Sequence, residues 1–378
     1  MSAPLIRYLD ENAEGLFRTL AELHSMPEPG NKELRTAAYL AQALEGFGYE
    51  VKTGVGGTGV VGVLKGGQHG PVVGLRADMD ALVFDVDGAK VANHACGHDA
   101  NSTEVLWAAA ALAQTGAVRR GELRIVFQPA EELADGALSI IRSGALEGLQ
   151  YFFSTHLRSI HELPLGKITP SLRHAASGMM SAAIKGKGAH GARPHLGVNA
   201  AEAAAAVVFA VNSVHVNPIV PHSAKVTMIK CGGNAFNIIP DLAEMVLDVR
   251  AQTNEVMADL RSRLQAAIEH GAAVCGAEAE CLWRTGCPAA QDDEEAVDIA
   301  RRAITRVLGD EGLAPPMETP GGEDFHYYAQ HIPGLKTTVI GIGADLVPGL
   351  HVRDMTFAEE AVMHGAKVLA LMAGELTE

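Results

Sequence analysis

The sequence predicts an open α/β fold with a smaller domain inserted into it. Strands alternate with amphipathic helices in the first and last stretches of the chain, the pattern of a sheet covered on both faces. The middle stretch runs β-α-β-β-α-β instead, the ferredoxin-like order, and is long enough to form its own domain. At 378 residues and about 100–200 residues per domain, the chain has room for two domains and an ample core.

Leu5–His24 and Lys32–Phe47 carry apolar residues at i, i+3, i+4 spacing and are predicted as helices. Gly59–Leu64 and Val72–Leu75 are short, β-branched and bounded by glycine, as strands are. A helix over Thr103–Gln114, a strand over Leu123–Phe127, a helix over Gly136–Arg142 and a strand over Tyr151–Thr155 continue the alternation. The middle stretch is predicted as strand Gly178–Gly186, helix Ala200–Val214, strands Ala224–Ile229 and Glu244–Arg250, helix Glu255–Ala273 and strand Glu278–Arg284. Helix Ala296–Val307, strand Thr337–Gly341 and helix Glu359–Ala373 then resume the first style. Seams near Pro170–Ala175 and Pro288–Asp292 give a discontinuous domain, 1–173 and 288–378, around an insert at 174–287.

With 45 acidic against 30 basic residues and a formal charge of −15, the chain repels polyanions, which argues against nucleic-acid or anionic-membrane partners. The apolar run Ala200–Val211 is too short to span a bilayer, and the first residues show no basic-then-apolar leader. The five cysteines are odd in number and form no CxxC pair, so a reducing, cytoplasmic setting is expected. Cys275, Cys281 and Cys287, six residues apart, read as buried thiols rather than a metal site. The acidic stretch Gln291–Glu295 reads as a helix N-terminus whose carboxylates complement the dipole.

The densest chemistry lies in Asn93-His94-Ala95-Cys96-Gly97-His98-Asp99, just ahead of a helix. Cys96 and His98 flank a glycine, and thiolate with imidazole suits zinc and neighbouring divalent metals. Glu131 and Glu132 follow an apolar strand, His156 ends another, Asp78 and Asp80 follow a third, and His351 follows a fourth. Their shared address is the carboxyl end of successive strands, where open α/β sheets place ligands. Adjacent carboxylates there can divide the work of coordinating a metal and activating water.

The strings Arg76–Leu82 (RADMDAL), His94–Asp99 (HACGHD), Phe127–Glu132 (FQPAEE) and Ala189–His195 (AHGARPH) resemble the M20 family of metallopeptidases and amidohydrolases. So do Asn237–Pro240, Leu247–Thr253, Gly321–Phe325 and Gly349–His351, in the same order along nearly the whole chain. The branch they resemble includes hippurate hydrolases, N-acyl-amino-acid and auxin-conjugate amidohydrolases, and the AmhX-type bacterial amidohydrolases. The resemblance implies a zinc-exopeptidase-like catalytic domain with an inserted lid and dimerisation domain. It implies Cys96, His98, Glu132, His156 and His351 as ligands of one or two divalent ions, whether zinc, manganese, cobalt or nickel. Glu131 would be the general base, and Asp80 would orient a ligand. His190 would stabilise the oxyanion, from its own subunit or across a homodimer. Asn237 and Arg250 would hold the substrate carboxylate, with Gly321 and Gly322 offering backbone contacts.

The expected activity is hydrolysis of the amide of an N-acyl amino acid. A dipeptidase is the nearest rival, and hydrolytic deamination of an aromatic amino acid uses the same attack on another carbon. A non-catalytic metal binder would have no use for Glu131 beside Glu132. Two departures from the family pattern stand out: Asn101 replaces a histidine, and the segment Ala81–Asp87 is short, which is expected to reshape the acyl pocket.

Overall fold

The N-terminal apolar stretch, one helix by its spacing, folds as two: α1 (Ser2–Glu11) and α2 (Ala13–His24). Asn12 parts them, its side chain donating to the Tyr8 carbonyl and so competing with the backbone for that turn. The chain continues through α3 (Leu34–Gly46), β1 (Glu50–Val55), β2 (Gly59–Lys65) and β3 (Gln68–Asp78). A hairpin follows, β4 (Leu82–Val86) and β5 (Ala89–Asn93), turning on the left-handed pair Asp87-Gly88. Then come α4 (His98–Gln114), β6 (Arg120–Gln128), α5 (Gly136–Arg142) and β7 (Tyr151–Ser159). Two short strands, β8 (Ile168–Thr169) and β9 (Leu172–His174), lead to the seam.

The second unit is built from β10 (Ala176–Lys185), β11 (Ala189–His190), α6 (Ala200–Asn212), β12 (His222–Cys231), β13 (Ile238–Ile239), β14 (Leu242–Ala251), α7 (Asn254–Val274) and β15 (Glu278–Cys287). After it come α8 (Glu294–Leu308), β16 (Met317–Thr319), α9 (His326–His331), β17 (Lys336–Leu346) and α10 (Glu360–Thr377). Asp293 caps α8, accepting from the Glu295 and Ala296 amides, as the acidic stretch predicts.

This computed structural model describes residues 2–378. Contacts divide it into two units, one of residues up to Arg173 with Gln291–Met317 and Asp324–Glu378, the other of His174–Ala290 with Glu318–Glu323. The return of Glu318–Glu323 to the second unit has no sequence signal. The Ala175 amide anchors it by donating to the carbonyls of Thr319 and Gly321.

The first unit holds a seven-stranded sheet in the order β1-β2-β6-β3-β7-β17-β8. Its centre, β6-β3-β7-β17, is parallel, and the strands on either side run antiparallel. Parallel strands need both faces covered, and α4 shows it: residues 98–112 are buried around the whole helix. The second unit's sheet, β12-β14-β10-β15, is wholly antiparallel. Alternate residues Ala243, Met245, Leu247, Val249 and Ala251 of β14 are buried in a core shared with α6 and α7. That order and those helices make the ferredoxin-like arrangement that the sequence pattern predicts.

Candidate metal centre

Because β6, β3, β7 and β17 run parallel, their carboxyl ends lie at one edge of the sheet. Register sets Asp78 against Gln128 and Gly341 against His156. His156 lies inside β7 rather than just past its end, because the strand continues to Ser159. His351 follows β17 by a loop and adopts a left-handed backbone, φ 63°, with its amide donating to the Ala95 carbonyl. That bond ties the C-terminal loop to the Cys96 turn. The turn itself needs Gly97, whose φ is 83° and where a Cβ would sit 3.3 Å from Leu157.

The expected ligand atoms converge. Cys96 Sγ lies 3.2 Å from His351 Nε2 and 3.5 Å from His156 Nε2. Glu132 Oε1 lies 3.6 Å from His351 Nε2. Three overlapping sets, Cys96–His98–His156, Cys96–Glu132–His351 and His98–Glu131–Glu132, each gather ligand atoms within 4.8 Å of one another. Cys96, His98 and Glu132 each belong to two of the sets.

The surroundings orient the rings of His98 and His156. His98 Nδ1 faces the Asp80 carbonyl at 2.9 Å and Asp80 Oδ1 at 3.2 Å, so Nδ1 carries a proton, while Nε2 makes no hydrogen bond. His156 Nδ1 donates to the Leu157 carbonyl at 2.8 Å, which leaves Nε2 towards Cys96. Asp80 also receives the Glu131 amide on Oδ1 and the Glu132 amide on Oδ2, both at 3.2 Å. One buried carboxylate therefore orients a histidine and the loop of the glutamate pair. The Asp324 amide donates to Glu131 Oε1 at 3.3 Å. Asp324 in turn is held by Arg76 and Gln128.

The electrostatics suit a cation. Burial pushes the Cys96 thiol well above its ordinary range, and burial raises Glu132. Burial works to lower His98, but Asp78 and Cys96 outweigh it and leave it well above the usual imidazole value. Burial acts to raise Asp78, yet His98 and Arg76 hold it down to about 2. His98 Nε2 and Glu132 Oε1 are buried without hydrogen-bond partners, a costly state for polar atoms. A divalent ion coordinates such atoms and deprotonates a thiol beside it. Thiolate, imidazole and carboxylate together are the donor set of zinc and its neighbours.

Asn101, in place of a histidine, donates from Nδ2 to Asp78 Oδ1 at 2.8 Å and so joins the network behind His98. The short segment after Asp80 forms the β4–β5 hairpin. Pairing of Phe84 with Val91 and of Val86 with Ala89 puts these and Leu82 on one face, with the Asp85–Lys90 ion pair on the other. Arg353 pairs with exposed Asp354.

The remaining predicted residues belong to the second unit. His190 pairs with Ile238 across β11 and β13, and the Gly191 amide donates to the carbonyl of Asn237, just before β13. His190 Nδ1 accepts from the Ala192 amide at 3.0 Å, so the proton sits on Nε2. Arg250 spends its fork on Asp248, at 2.9 and 3.1 Å, and donates a third bond to the Pro320 carbonyl at 2.8 Å. Asp248 was not foreseen from the sequence, although the i, i+2 spacing on a strand is its signal. Gly322 packs so closely on Ser177 that a Cβ would lie 2.3 Å from its hydroxyl.

A model of Peptidase family M20/M25/M40 matches residues 74–375. Hippurate hydrolase of Campylobacter jejuni is 34% identical, over 82% of this chain and 83% of that protein. N-acetyl-L-cysteine deacetylase of Bacillus subtilis is 33% identical, over 82% and 77%. Among solved structures, a proposed aminohydrolase from methicillin-resistant Staphylococcus aureus superposes with a TM-score of 0.90 at 26% identity, covering 100% of both chains. The Bacillus subtilis YXEP protein, described as a dinuclear metal-binding peptidase, gives 0.81 at 28%, covering 96% of this chain and 98% of that one.

Proposed function

The chain belongs to Peptidase family M20/M25/M40 and is a metal-dependent hydrolase of amide bonds, and we propose that its substrates are N-acyl amino acids. The observation that carries the proposal is the overlap of the three ligand sets, with Glu131 standing beside Glu132 inside them. Relatives named for hippurate and N-acetylcysteine, both acylated amino acids, support the substrate class.

Cys96, His98, Glu132, His156 and His351 would hold one or two divalent ions, with zinc, manganese, cobalt and nickel all compatible with the donors. Such an ion, when bound, polarises an amide carbonyl and makes water more acidic. Glu131, fixed by the Asp80 and Asp324 contacts, accepts the proton of the attacking water on a carboxylate oxygen and returns it to the leaving amine. Asp80 keeps His98 in its Nδ1–H tautomer throughout. In the second unit, read as the lid and dimerisation domain, His190 holds a proton on Nε2 ready to stabilise a developing oxyanion. Arg250 keeps two N–H donors beyond its three bonds, and Asn237 an amide, for the substrate carboxylate. The apolar face of the β4–β5 hairpin supports an apolar acyl group.

A homodimer fits the second unit's surface. β12 is an edge strand, and Phe209 of α6 is 73% exposed. We read the chain as cytoplasmic, a setting in which thiols stay reduced, and no disulfide joins cysteines among the described residues. Among the described residues no helix is long and apolar enough to cross a membrane.

The test is amine release from N-acetyl, N-benzoyl and longer N-acyl amino acids and from free dipeptides. The protein is stripped of metal and reloaded with Zn²⁺, Mn²⁺, Co²⁺ or Ni²⁺. Metal-restored release from blocked substrates is the expected result. Release from dipeptides alone would overturn the substrate assignment.

A further inference from the structure

A segment with no part in the chemistry described so far grips the glutamate pair from behind. Glu33, at the start of α3, is fully buried. Its Oε1 accepts the Ala130 amide at 2.9 Å and its Oε2 accepts the Thr58 hydroxyl at 2.5 Å. Ala130 is the residue before Glu131, and it adopts a left-handed backbone, φ 53° and ψ 40°. Ala134, on the other side of the pair, does the same at φ 54°. Two alanines in this region are strained, because Cβ crowds the backbone there, and they persist only where neighbours hold them.

The same segment reaches Asp80. The Ala81 amide donates to the Glu28 carbonyl at 2.8 Å, and Pro29 bridges Ala81. Gly30 lies against the pair's loop, where a Cβ would come 3.1 Å from Ala130 Cα and 3.0 Å from the Leu133 side chain. Glu28 in turn caps α3, accepting the Arg35 and Thr36 amides at 2.9 Å. Residues 28–33 thus tie together the strand end bearing Asp80 and the turn bearing Glu131 and Glu132.

We infer that Glu33 is a positioning residue: its carboxylate holds Ala130 in the left-handed conformation that aims Glu131 and Glu132, acting as a hydrogen-bond acceptor and not as a charge. The inference rests on the reading above for what Glu131 does, but the clamp is measurable without turnover. The Leu133 and Gly136 amides both donate to the Ala130 carbonyl, and the Ala134 amide to that of Glu131, so they report the turn's integrity.

Glu33→Ala is expected to speed hydrogen exchange in the 130–136 peptide of the metal-free protein by about tenfold or more. At saturating metal it lowers kcat by roughly 10- to 100-fold with KM within about twofold, the cost of a displaced base. Glu33→Gln retains an oxygen for the Ala130 amide and an NH₂ for Thr58, and stays near the unaltered protein in both measurements. Adding Ala130→Gly to Glu33→Ala removes the Cβ penalty and recovers kcat by about fivefold. Should Glu33→Ala not fold, Glu33→Asp, one methylene too short to reach Ala130, is expected to loosen the same peptide. Unchanged exchange in the folded Ala or Asp variant overturns the clamp whatever the activity. Exchange in Glu33→Gln as fast as in Glu33→Ala overturns the acceptor account. If exchange behaves as expected but the unaltered protein hydrolyses no acylated amino acid, the amidohydrolase reading falls and the clamp stands.

Discussion

Asp80→Asn separates the carboxylate's two duties by a single atom. Oδ1 serves His98 Nδ1 and the Glu131 amide, whereas Oδ2 serves only the Glu132 amide. The new NH₂ can replace either oxygen. At Oδ1 it would face two donors and at Oδ2 one, so it settles at Oδ2 and leaves the partly buried Glu132 amide without an acceptor. An unpaired buried N–H costs about 1–3 kcal/mol, and a negative charge beside the cation is lost as well. The amide's cost falls on folding stability, while the lost charge and the loosened glutamate loop are expected to lower metal affinity by roughly 10- to 100-fold, the usual effect of removing a partner of a metal ligand. The assay is competition against a chromophoric chelator, followed by kcat/KM at saturating metal. Affinity and kcat/KM both within about twofold of the unaltered protein would refute the claim that Asp80 organises the centre.

Glu131→Gln is expected to retain its metal, measured by elemental analysis, while turnover falls by about 10²–10⁴-fold; loss of the metal instead would exchange the roles of the two glutamates. His190→Ala should lower kcat by about 10²–10³ with KM little changed, and an effect on KM alone would move His190 to substrate binding. His326 provides a pH test away from the ligands: burial above all, against Asp292, lowers its pKa from 6.5 to about 4. The folded state therefore binds fewer protons than the unfolded state between those values, so stability is complete above pH 6.5 and falls by about 3 kcal/mol as the pH drops towards 4. His326→Phe should flatten that part of the curve in denaturant titrations, and an unchanged slope would show that other groups set it.

The strand-end addresses of Asp80, Glu131, Glu132 and His351 were legible because β-branched runs, glycines and the polar residues that follow them are local features. The insert was legible for a similar reason, since its alternation on β10 and β14 differs from the near-continuous apolar runs of the parallel strands. Local periodicity alone does not reveal where a helix is interrupted, so α1 and α2 read as one. Nor does it reveal a weak edge strand such as β1, where five of the six residues are not buried. In the β4–β5 hairpin only the turn Asp87-Gly88 carries a local signal, because the strands on either side are short and mixed in polarity.

By itself, the sequence determined the two sheet types, the order of the main elements and the residues able to bind a metal, because period and composition decide which face of each element is buried. Tertiary structure alone decided which of those residues meet. Cys96 and His351 are 255 positions apart and lie 3.2 Å from each other, a distance set by parallel register and by one backbone bond between their loops. It also decided that Glu33 supports Ala130, 97 residues away. Side-chain partners of this kind have no periodicity to read: they depend on where whole elements come to rest, and that is settled by the packing of the core.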